Sequence, residues 1–427
     1  TACIAVIGMG YVGLPLAVEF ALQGFSVVAI DSDPGRVEKV NQGLNYIPDV
    51  RVGDLSAVIA SGKLRASVAY SEIAHADAVL ICVPTPLDKN KQPDTSYIIS
   101  AVETALPYLH PGQLYVLEST TYPGTTEEII QPLLESRGAV IGKDVYLAFS
   151  PERVNPGDPV YKTRNTPKVV GGVTKTCTAI AASLYETIIE AGVVQVSQPR
   201  TAEMTKLLEN TFRIVNISLV NELAQLCERM GMDIWEVIAA SSTKPFGFMP
   251  FYPGPGLGGH CIPLDPFYLS WKAKEYDFTT QFIELAGRIN DSMPYHVVEH
   301  ATKLLNKAGK AMNGARVLLL GMAYKKDIDD LRQSPALKVA HLLEQRGAII
   351  SYHDPFIAEI HQEGFDLKSE TLSAERLQAQ DLVVITTAHT HVDYDLVVRS
   401  SALVFDTRNA TKDLVAANVT KLGVGAL

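Results

Sequence analysis

Three glycines at positions 8, 10 and 13 leave the start of this chain few ways to fold. The run Gly8-Met9-Gly10-Tyr11-Val12-Gly13 follows the apolar stretch Ile4-Ala5-Val6-Ile7 and opens a second apolar stretch from about Val12 to Leu22. Four apolar residues without alternation read as a buried strand, and the longer stretch reads as a helix stopped at Gly24. A further strand, Ser26 to Ile30, ends on Asp31 and completes a βαβ unit. Glycine is needed in such a turn for its tightness, for close approach of the backbone to a pyrophosphate, and for packing of helix on strand. A plain tight turn is the alternative, but strand, helix and acid stand at the separations a dinucleotide site requires. Asp31 is suited to accept hydrogen bonds from an adenosine ribose diol and to repel a 2′-phosphate, which favours NAD over NADP. Arg36 pulls the other way, since it could contact the phosphate-bearing form.

Similar apolar runs recur at Ala78 to Val83, Leu114 to Leu117, Val145 to Phe149 and Val193 to Val196. Runs of this kind suit a parallel sheet covered on both faces. From Thr201 to Met230 there is helical periodicity with neither glycine nor proline, which predicts roughly 45 Å of helix. A helix of that length bridges domains more readily than it fits one core. A Gly/Pro-rich loop follows from Lys244 to Pro266, then a helical stretch around Phe282 to Ile289. A second α/β unit reads as strand Arg316 to Leu320, Gly321, helix Ala336 to Gln345, and strand Ala348 to Tyr352 ending in His353-Asp354-Pro355. Leu382 to Thr386 and Ala402 to Phe405 add further short strands. This echo of the N-terminal unit lacks GxGxxG, so it predicts a related fold for a different nucleotide. The reading is an α/β protein with two Rossmann-like doubly wound domains joined by a long central helix, divided at 1–199, 200–312 and 313–427.

With 427 residues, 47% apolar and 20% charged, the chain can bury two or three cores. The five cysteines (Cys3, Cys82, Cys177, Cys227, Cys261) form no CxxC pair, which argues against a disulfide framework or a zinc ribbon and predicts reduced thiols and no metal. The apolar run Cys3 to Ile7 is too short for a signal peptide or a membrane span. A soluble, cytoplasmic protein is expected. A net charge of −10 without a basic run argues against nucleic acid as partner.

Glycine is densest in Gly254-Pro255-Gly256-Leu257-Gly258-Gly259-His260-Cys261-Ile262-Pro263-Leu264-Asp265. Such a segment lets backbone N–H groups close on a ligand and lets a thiol stand at a pocket surface; the alternative is a surface turn around a buried, inert cysteine. In an extended segment His260 and Cys261 point to opposite sides, so His260 takes a structural or substrate-edge role. A lysine is a better partner for the thiol, because an ammonium favours thiolate. The long helix offers Lys206 with Asn210 at i+4, a pair able to stabilise an oxyanion unless it is merely part of a solvated face.

The segments GMGYVGLPLAVEFA, VPTP, ESTTYPGTT, SPERVNPGD, EMTKLLENTFRIVNISLVNE, GPGLGGHCIPLDP and DIDDLRQSP occur in the order seen in the UDP-glucose/GDP-mannose 6-dehydrogenase family. The chain resembles that family over essentially its whole length, and within it looks most like bacterial UDP-N-acetylglucosamine or N-acetylmannosamine 6-dehydrogenases of surface-polysaccharide synthesis. The resemblance implies an N-terminal NAD domain, a helical middle and a C-terminal UDP-binding domain. It implies Cys261 as nucleophile, Lys206, Asn210 and Asp265 around the reacting carbon, and Thr120 and Glu152 handling water and protons. Gly8, Gly10, Tyr11, Val12, Gly13, Asp31, Arg36, Thr85 and Thr120 would hold NAD. Glu152, Lys206, Asn210, Tyr252, Gly256, Gly258, Lys325, Arg332 and Arg408 would meet the UDP-sugar. A homo-oligomer built through the long helix is also implied. UDP-glucose enzymes typically carry a glutamate where Pro156 stands, which turns the expectation away from plain UDP-glucose.

The chemistry explains a thiol in a hydride-transfer enzyme. Oxidising a C6 alcohol gives an aldehyde, which has no hydride to give until a nucleophile adds. A Cys261 thiohemiacetal can be oxidised to a thioester that water hydrolyses to the acid. A two-electron hydroxyacid-type dehydrogenase, with no covalent step, is the rival enzyme; a nucleotide-sensing protein without turnover is the rival from another class.

Overall fold

The computed structural model describes residues 2–88, 92–154, 158, 160–259 and 261–425. His260 and Pro156 lie outside the described residues. The chain forms two compact units, Thr1–Glu209 with Phe267–Thr279, and Asn210–Pro266 with Thr280–Leu427.

The first unit is built on an eight-stranded sheet in the order Leu64–Ser67, Ser26–Ile30, Cys3–Ile7, Ala78–Ile81, Leu114–Leu117, Tyr146–Phe149, Lys168–Gly172, Val193–Val196. All neighbours are parallel except Tyr146–Phe149 with Lys168–Gly172. Alternate residues of Cys3–Ile7 enter separate cores. Ile4 and Val6 pack with Leu14 and Phe20 of the helix Gly13–Leu22, while Ala5 and Ile7 pack with Ile98 and Val102 of Ser96–Ala105. A strand buried on both faces has no polar side to alternate, which is why its sequence is continuously apolar. Each fully buried side chain of this size stabilises by about 1.5–3 kcal/mol. The order reverses between Cys3–Ile7 and Ala78–Ile81, and ligands of open α/β sheets bind at the strand carboxyl ends at such a point.

The second unit carries a parallel five-stranded sheet in the order Ile349–His353, Arg316–Leu320, Leu382–Ile385, Val404–Asp406, Val419–Lys421. Its faces are covered by separate cores: Val317 and Leu319 with Val297, Val298 and Ala301 of the helix Gln281–Lys307, and Leu318 and Leu320 with Leu377 and Val397. The internal echo is visible in detail. Gly321, at φ +85, has no room for a Cβ, which would lie 2.4 Å from the Thr387 carbonyl oxygen. Asp354 takes the place that Asp31 has in the first unit, accepting from Met322 N at 2.6 Å as Asp31 accepts from Met9 N at 2.8 Å. Asp354 also accepts from Ala323, Phe356 and Ile357 N–H groups and lies 3.0 Å from His389 Nε2. Its carboxylate is committed to the protein.

The long helix is Pro199–Met230, and the helix Gln281–Lys307 runs far past the expected Ile289, through Pro294. One local expectation fails. The loop placed from Lys244 through Pro266 ends before Cys261, where the helix Cys261–Ala273 begins. Pro263 falls in the first turn, whose N–H groups have no intrahelical acceptor, so it does not oppose the helix. Pro266 costs one internal hydrogen bond. Cys261 therefore sits at a helix N-terminus rather than in extended chain, and the argument from alternating side chains does not apply to it. No helix among the described residues is long and apolar enough to cross a membrane.

Candidate active site

The three glycines of the first turn have three distinct environments. Gly8 has φ +96 and its Cβ would lie 2.5 Å from the Cys82 carbonyl oxygen, so only glycine closes the turn between two strand ends. At Gly13 a Cβ would meet the Gly8 carbonyl oxygen at 1.8 Å, so glycine lets the helix seat on the strand. At Gly10 nothing lies within 4 Å; the backbone there is open to an approaching group. Tyr11 is partly exposed and Val12 is the residue before the helix. Asp31 is 7% exposed and its carboxylate is aimed by Met9 N and, at 3.0 Å, by Asp33 N. Arg36 lies 3.5 Å from Asp31 and 3.7 Å from Asp33, which neutralises part of its charge. A glycine cradle with one open position, beside an oriented carboxylate, fits a dinucleotide.

Further along the same unit, Thr85 donates to the Thr120 carbonyl at 2.6 Å, and the Thr85 carbonyl accepts from the Tyr268 hydroxyl. The segment after Thr120 is tied down by buried Glu203, which accepts from Gly124 N, Thr126 N and Thr126 Oγ1. Burial pushes the Glu203 carboxyl up to about 7. One turn on, Lys206 is 8% exposed and donates to the Glu152 carbonyl. The N-terminal part of the long helix thus fixes two loops through residues three apart. Lys206 is not part of a solvated face. The Glu152 carboxylate accepts from Arg153 and Val154 N–H groups and lies 3.6 Å from Lys168 Nζ.

Lys168 belongs to a group that sequence reading missed. It is 4% exposed, bonds Glu118 Oε2 at 2.8 Å, and Glu118 also accepts from the Tyr185 hydroxyl. Burial pushes the Glu118 carboxyl up to about 7, while Lys168 opposes the rise. Burial works against the Lys168 ammonium, but the facing Glu118 and Glu152 carboxylates more than offset it and hold the group above its ordinary range.

In the second unit, Asp265 is fully buried and Asn210 Nδ2 donates to it at 2.7 Å. Cys261, four residues earlier and one helical turn away, is exposed. The loop before it is shaped by the C-terminal sheet. Gly254 sits against Arg408, whose Nη1 would be 2.3 Å from a Cβ there, and Gly254 N donates to Asn221. Gly258 and Gly259 rest on Tyr324, and Gly259 N donates to the Arg332 carbonyl. Arg408 bonds the Thr386 carbonyl at 2.9 Å, and burial lowers its guanidinium to about 10 against the pull of Asp406. Arg332 pairs with Asp330 at 2.7 Å. Lys325 is half-buried, and exposed Tyr252 stacks on Trp235 at 6.2 Å. Beside Gly256 a cavity of about 350 Å³ is lined by Leu257, Asn290, Tyr295, Ser334 and Lys338.

Residues 2–189 match the NAD binding domain of the UDP-glucose/GDP-mannose dehydrogenase family, residues 200–292 its central domain, and residues 318–413 its UDP binding domain. The chain belongs to the UDP-glucose/GDP-mannose dehydrogenase family. It is 35% identical to the UDP-N-acetyl-D-glucosamine 6-dehydrogenase of Pseudomonas aeruginosa over 421 residues, covering 98% of this chain and 94% of that one. It is also 35% identical to the UDP-N-acetyl-D-mannosamine dehydrogenase of Pyrococcus horikoshii over 417 residues, with 96% of each covered. The solved structure of UDP-D-ManNAc dehydrogenase from Pyrococcus horikoshii superposes with a TM-score of 0.91 at 32% identity over all of both chains. This member of the family is an NAD-dependent UDP-sugar dehydrogenase. Its cofactor is NAD, consistent with the Gly10 opening and the oriented Asp31 carboxylate.

Proposed function

We propose that this dehydrogenase oxidises the C6 hydroxymethyl group of UDP-N-acetylglucosamine to the uronic acid in a four-electron sequence, for surface-polysaccharide synthesis in the cytoplasm. The observation that carries the covalent route is the exposed Cys261 thiol one turn before buried, Asn210-bonded Asp265. Gly8, Gly10, Gly13 and Asp31, with Tyr11, Val12, Arg36, Thr85 and Thr120 around them, would hold NAD, which would supply the oxidant for each two-electron stage, two equivalents per sugar. Cys261 adds to the C6 aldehyde, forming the C–S bond. Oxidation of this adduct leaves a thioester, and water breaks the C–S bond, releasing the carboxylate and the thiol. Lys206 and Asn210 stabilise negative charge on the C6 oxygen. Asp265 and Thr120 orient the hydrolytic water, and Glu152 takes the proton. Tyr252, Gly256, Gly258, Lys325, Arg332 and Arg408 meet the nucleotide, and the cavity beside Gly256 has the volume of a small-ligand pocket.

The division into 1–199 for NAD, 200–312 for the helical middle with the Cys261 loop, and 313–427 for the UDP-sugar is part of the same reading, as is a homo-oligomer. The latter is supported by an exposed apolar stripe on the long helix: Met204, Leu208, Phe212, Leu219, Leu223, Leu226 and Met230. Spacings of three, four and seven residues are those of a helix seam that another helix covers.

UDP-N-acetylmannosamine is the second reading, favoured by the Pyrococcus horikoshii structure. Initial rates with UDP-N-acetylglucosamine, UDP-N-acetylmannosamine and UDP-glucose decide it. The highest kcat/KM is expected for UDP-N-acetylglucosamine; a higher value for the manno sugar transfers the assignment to it, and a preference for UDP-glucose overturns both.

A further inference from the structure

Within the second unit, and apart from the catalytic residues, three metal-ligating side chains converge from two helices. Glu228 lies near the end of Pro199–Met230, and His296 and His300 are one turn apart on Gln281–Lys307. His296 Nε2 is 2.8 Å from Glu228 Oε2, and His300 Nδ1 is 3.7 Å from Glu228 Oε1. One donor atom from each lies within 4.8 Å of the others. All three are half-buried rather than splayed into solvent.

We propose that Glu228, His296 and His300 form a structural site for a zinc-class divalent cation, with water completing the coordination. Zinc sits about 2.0–2.2 Å from nitrogen and carboxylate donors, so donors about 3.4 Å apart make a tetrahedron. The contacts at 2.8 Å to Glu228 Oε2 and 3.7 Å to Glu228 Oε1, within the 4.8 Å that spans one donor from each residue, lie on either side of that spacing. Two imidazoles with one carboxylate suit zinc, nickel or cobalt; magnesium and calcium prefer all-oxygen sets. Positions i and i+4 on a helix present both imidazoles to one side. The outer contacts hold the ligands in place. Gly423 N donates to Glu228 Oε1 at 2.8 Å, fixing the carboxylate, and the His300 ring stacks on Phe405 at 4.8 Å. Such outer partners orient ligands and raise affinity. The nearby ammonium of Lys303 is neutralised by Glu299 at 2.6 Å.

The site has a structural consequence. The segment 422–425 is docked beside Glu228 through Trp235 Nε1 to the Leu422 carbonyl at 2.8 Å, Ile234 N to the Gly423 carbonyl, and Gly425 N to the Met232 carbonyl. A cation on Glu228 would lock this C-terminal segment, through Gly423, to both long helices.

The test uses metal-stripped full chain with Cys261→Ser, which removes the exposed thiol as a competing ligand. Zinc is titrated against a chromophoric chelator, and thermal unfolding is followed with and without zinc. The expected result is one zinc per chain, a raised unfolding midpoint, no response to magnesium, and affinity lowered at least about tenfold in His300→Ala. His296→Gln, which keeps a donor for Glu228 but not the imidazole, should weaken zinc similarly while holding the fold. No stoichiometric zinc, or zinc bound equally by both folded variants, would overturn the assignment.

Discussion

Lys168→Met is the most informative single change in the first unit, because it takes the ammonium out of a buried charge network. Lys168 Nζ stands 2.8 Å from Glu118 and 3.6 Å from Glu152. At an effective dielectric of about 20, each attraction is worth roughly 4–6 kcal/mol before desolvation. Removing one partner of a buried pair costs about 3–5 kcal/mol net, a large share of the stability of an ordinary domain. The loss must depend on pH. Glu118 is raised from 4.5 to about 7 by burial, so its neutral form stabilises the fold below 4.5, and that contribution is lost as pH rises through 7. Without Lys168 the Glu118 carboxyl rises further. The penalty is therefore smallest near pH 5.5, where Glu118 is protonated with or without the lysine. Above about 7 it grows by up to about 1.4 kcal/mol per pH unit. The assay is denaturant unfolding by fluorescence in a Trp235→Phe background. The chain has two tryptophans, and the remaining Trp271 packs on Tyr122 at 5.0 Å inside the same unit as Lys168. Adding Glu118→Gln should recover at least about 1 kcal/mol of the loss. A penalty below about 1 kcal/mol that is flat with pH would refute the network.

Other expectations follow from single contacts. Gly10→Ala should unfold like the wild type yet bind NAD more weakly in calorimetry, since its Cβ meets no protein atom. Gly13→Ala should lose both stability and NAD binding, because its Cβ would lie 1.8 Å from a backbone oxygen. Equal behaviour of the two would contradict the separate roles given to them. Asp31→Asn should narrow the preference for NAD over NADP by about tenfold, read as the ratio of kcat/KM values, since a hydrogen bond to a charged group contributes about 1.5–3 kcal/mol. Leu219→Glu with Leu226→Glu should convert an oligomer to monomers by light scattering. Four buried leucines per interface, at about 1.5 kcal/mol or more each, would raise the dissociation constant at least about a thousandfold; an unchanged mass would remove the helix stripe from the interface.

Much of the fold was legible because buried parallel strands have nothing to hide. Ile4 to Ile7, Val79 to Ile81 and Val317 to Leu320 are apolar at every position, and the helix Pro199–Met230 carries no internal breaker. Two of the strands that escaped notice depend on tertiary partners. Leu64–Ser67 exposes Arg65, and Lys168–Gly172 opens with a lysine whose burial makes sense only once Glu118 and Glu152 are beside it. The dinucleotide turn could be read in full from local spacing. Lys206 and Asn210 could be proposed from their spacing but not judged, because a buried helix face and a solvated one look alike when polar residues occupy both. The helix start at Cys261 was obscured by Pro263 and Pro266, and Glu228 with His296 and His300 lies beyond any local pattern because 68 residues separate the first from the second.

In the proposed mechanism Cys261 carries the second oxidation covalently. The decisive measurement is the number of NADH formed per UDP-N-acetylglucosamine consumed, for the wild type and for Cys261→Ser. Two NADH per sugar from the wild type, with this turnover lost or stalled in the variant, is the expected result; one NADH per sugar, with the variant as active as the wild type, would rule out the covalent step.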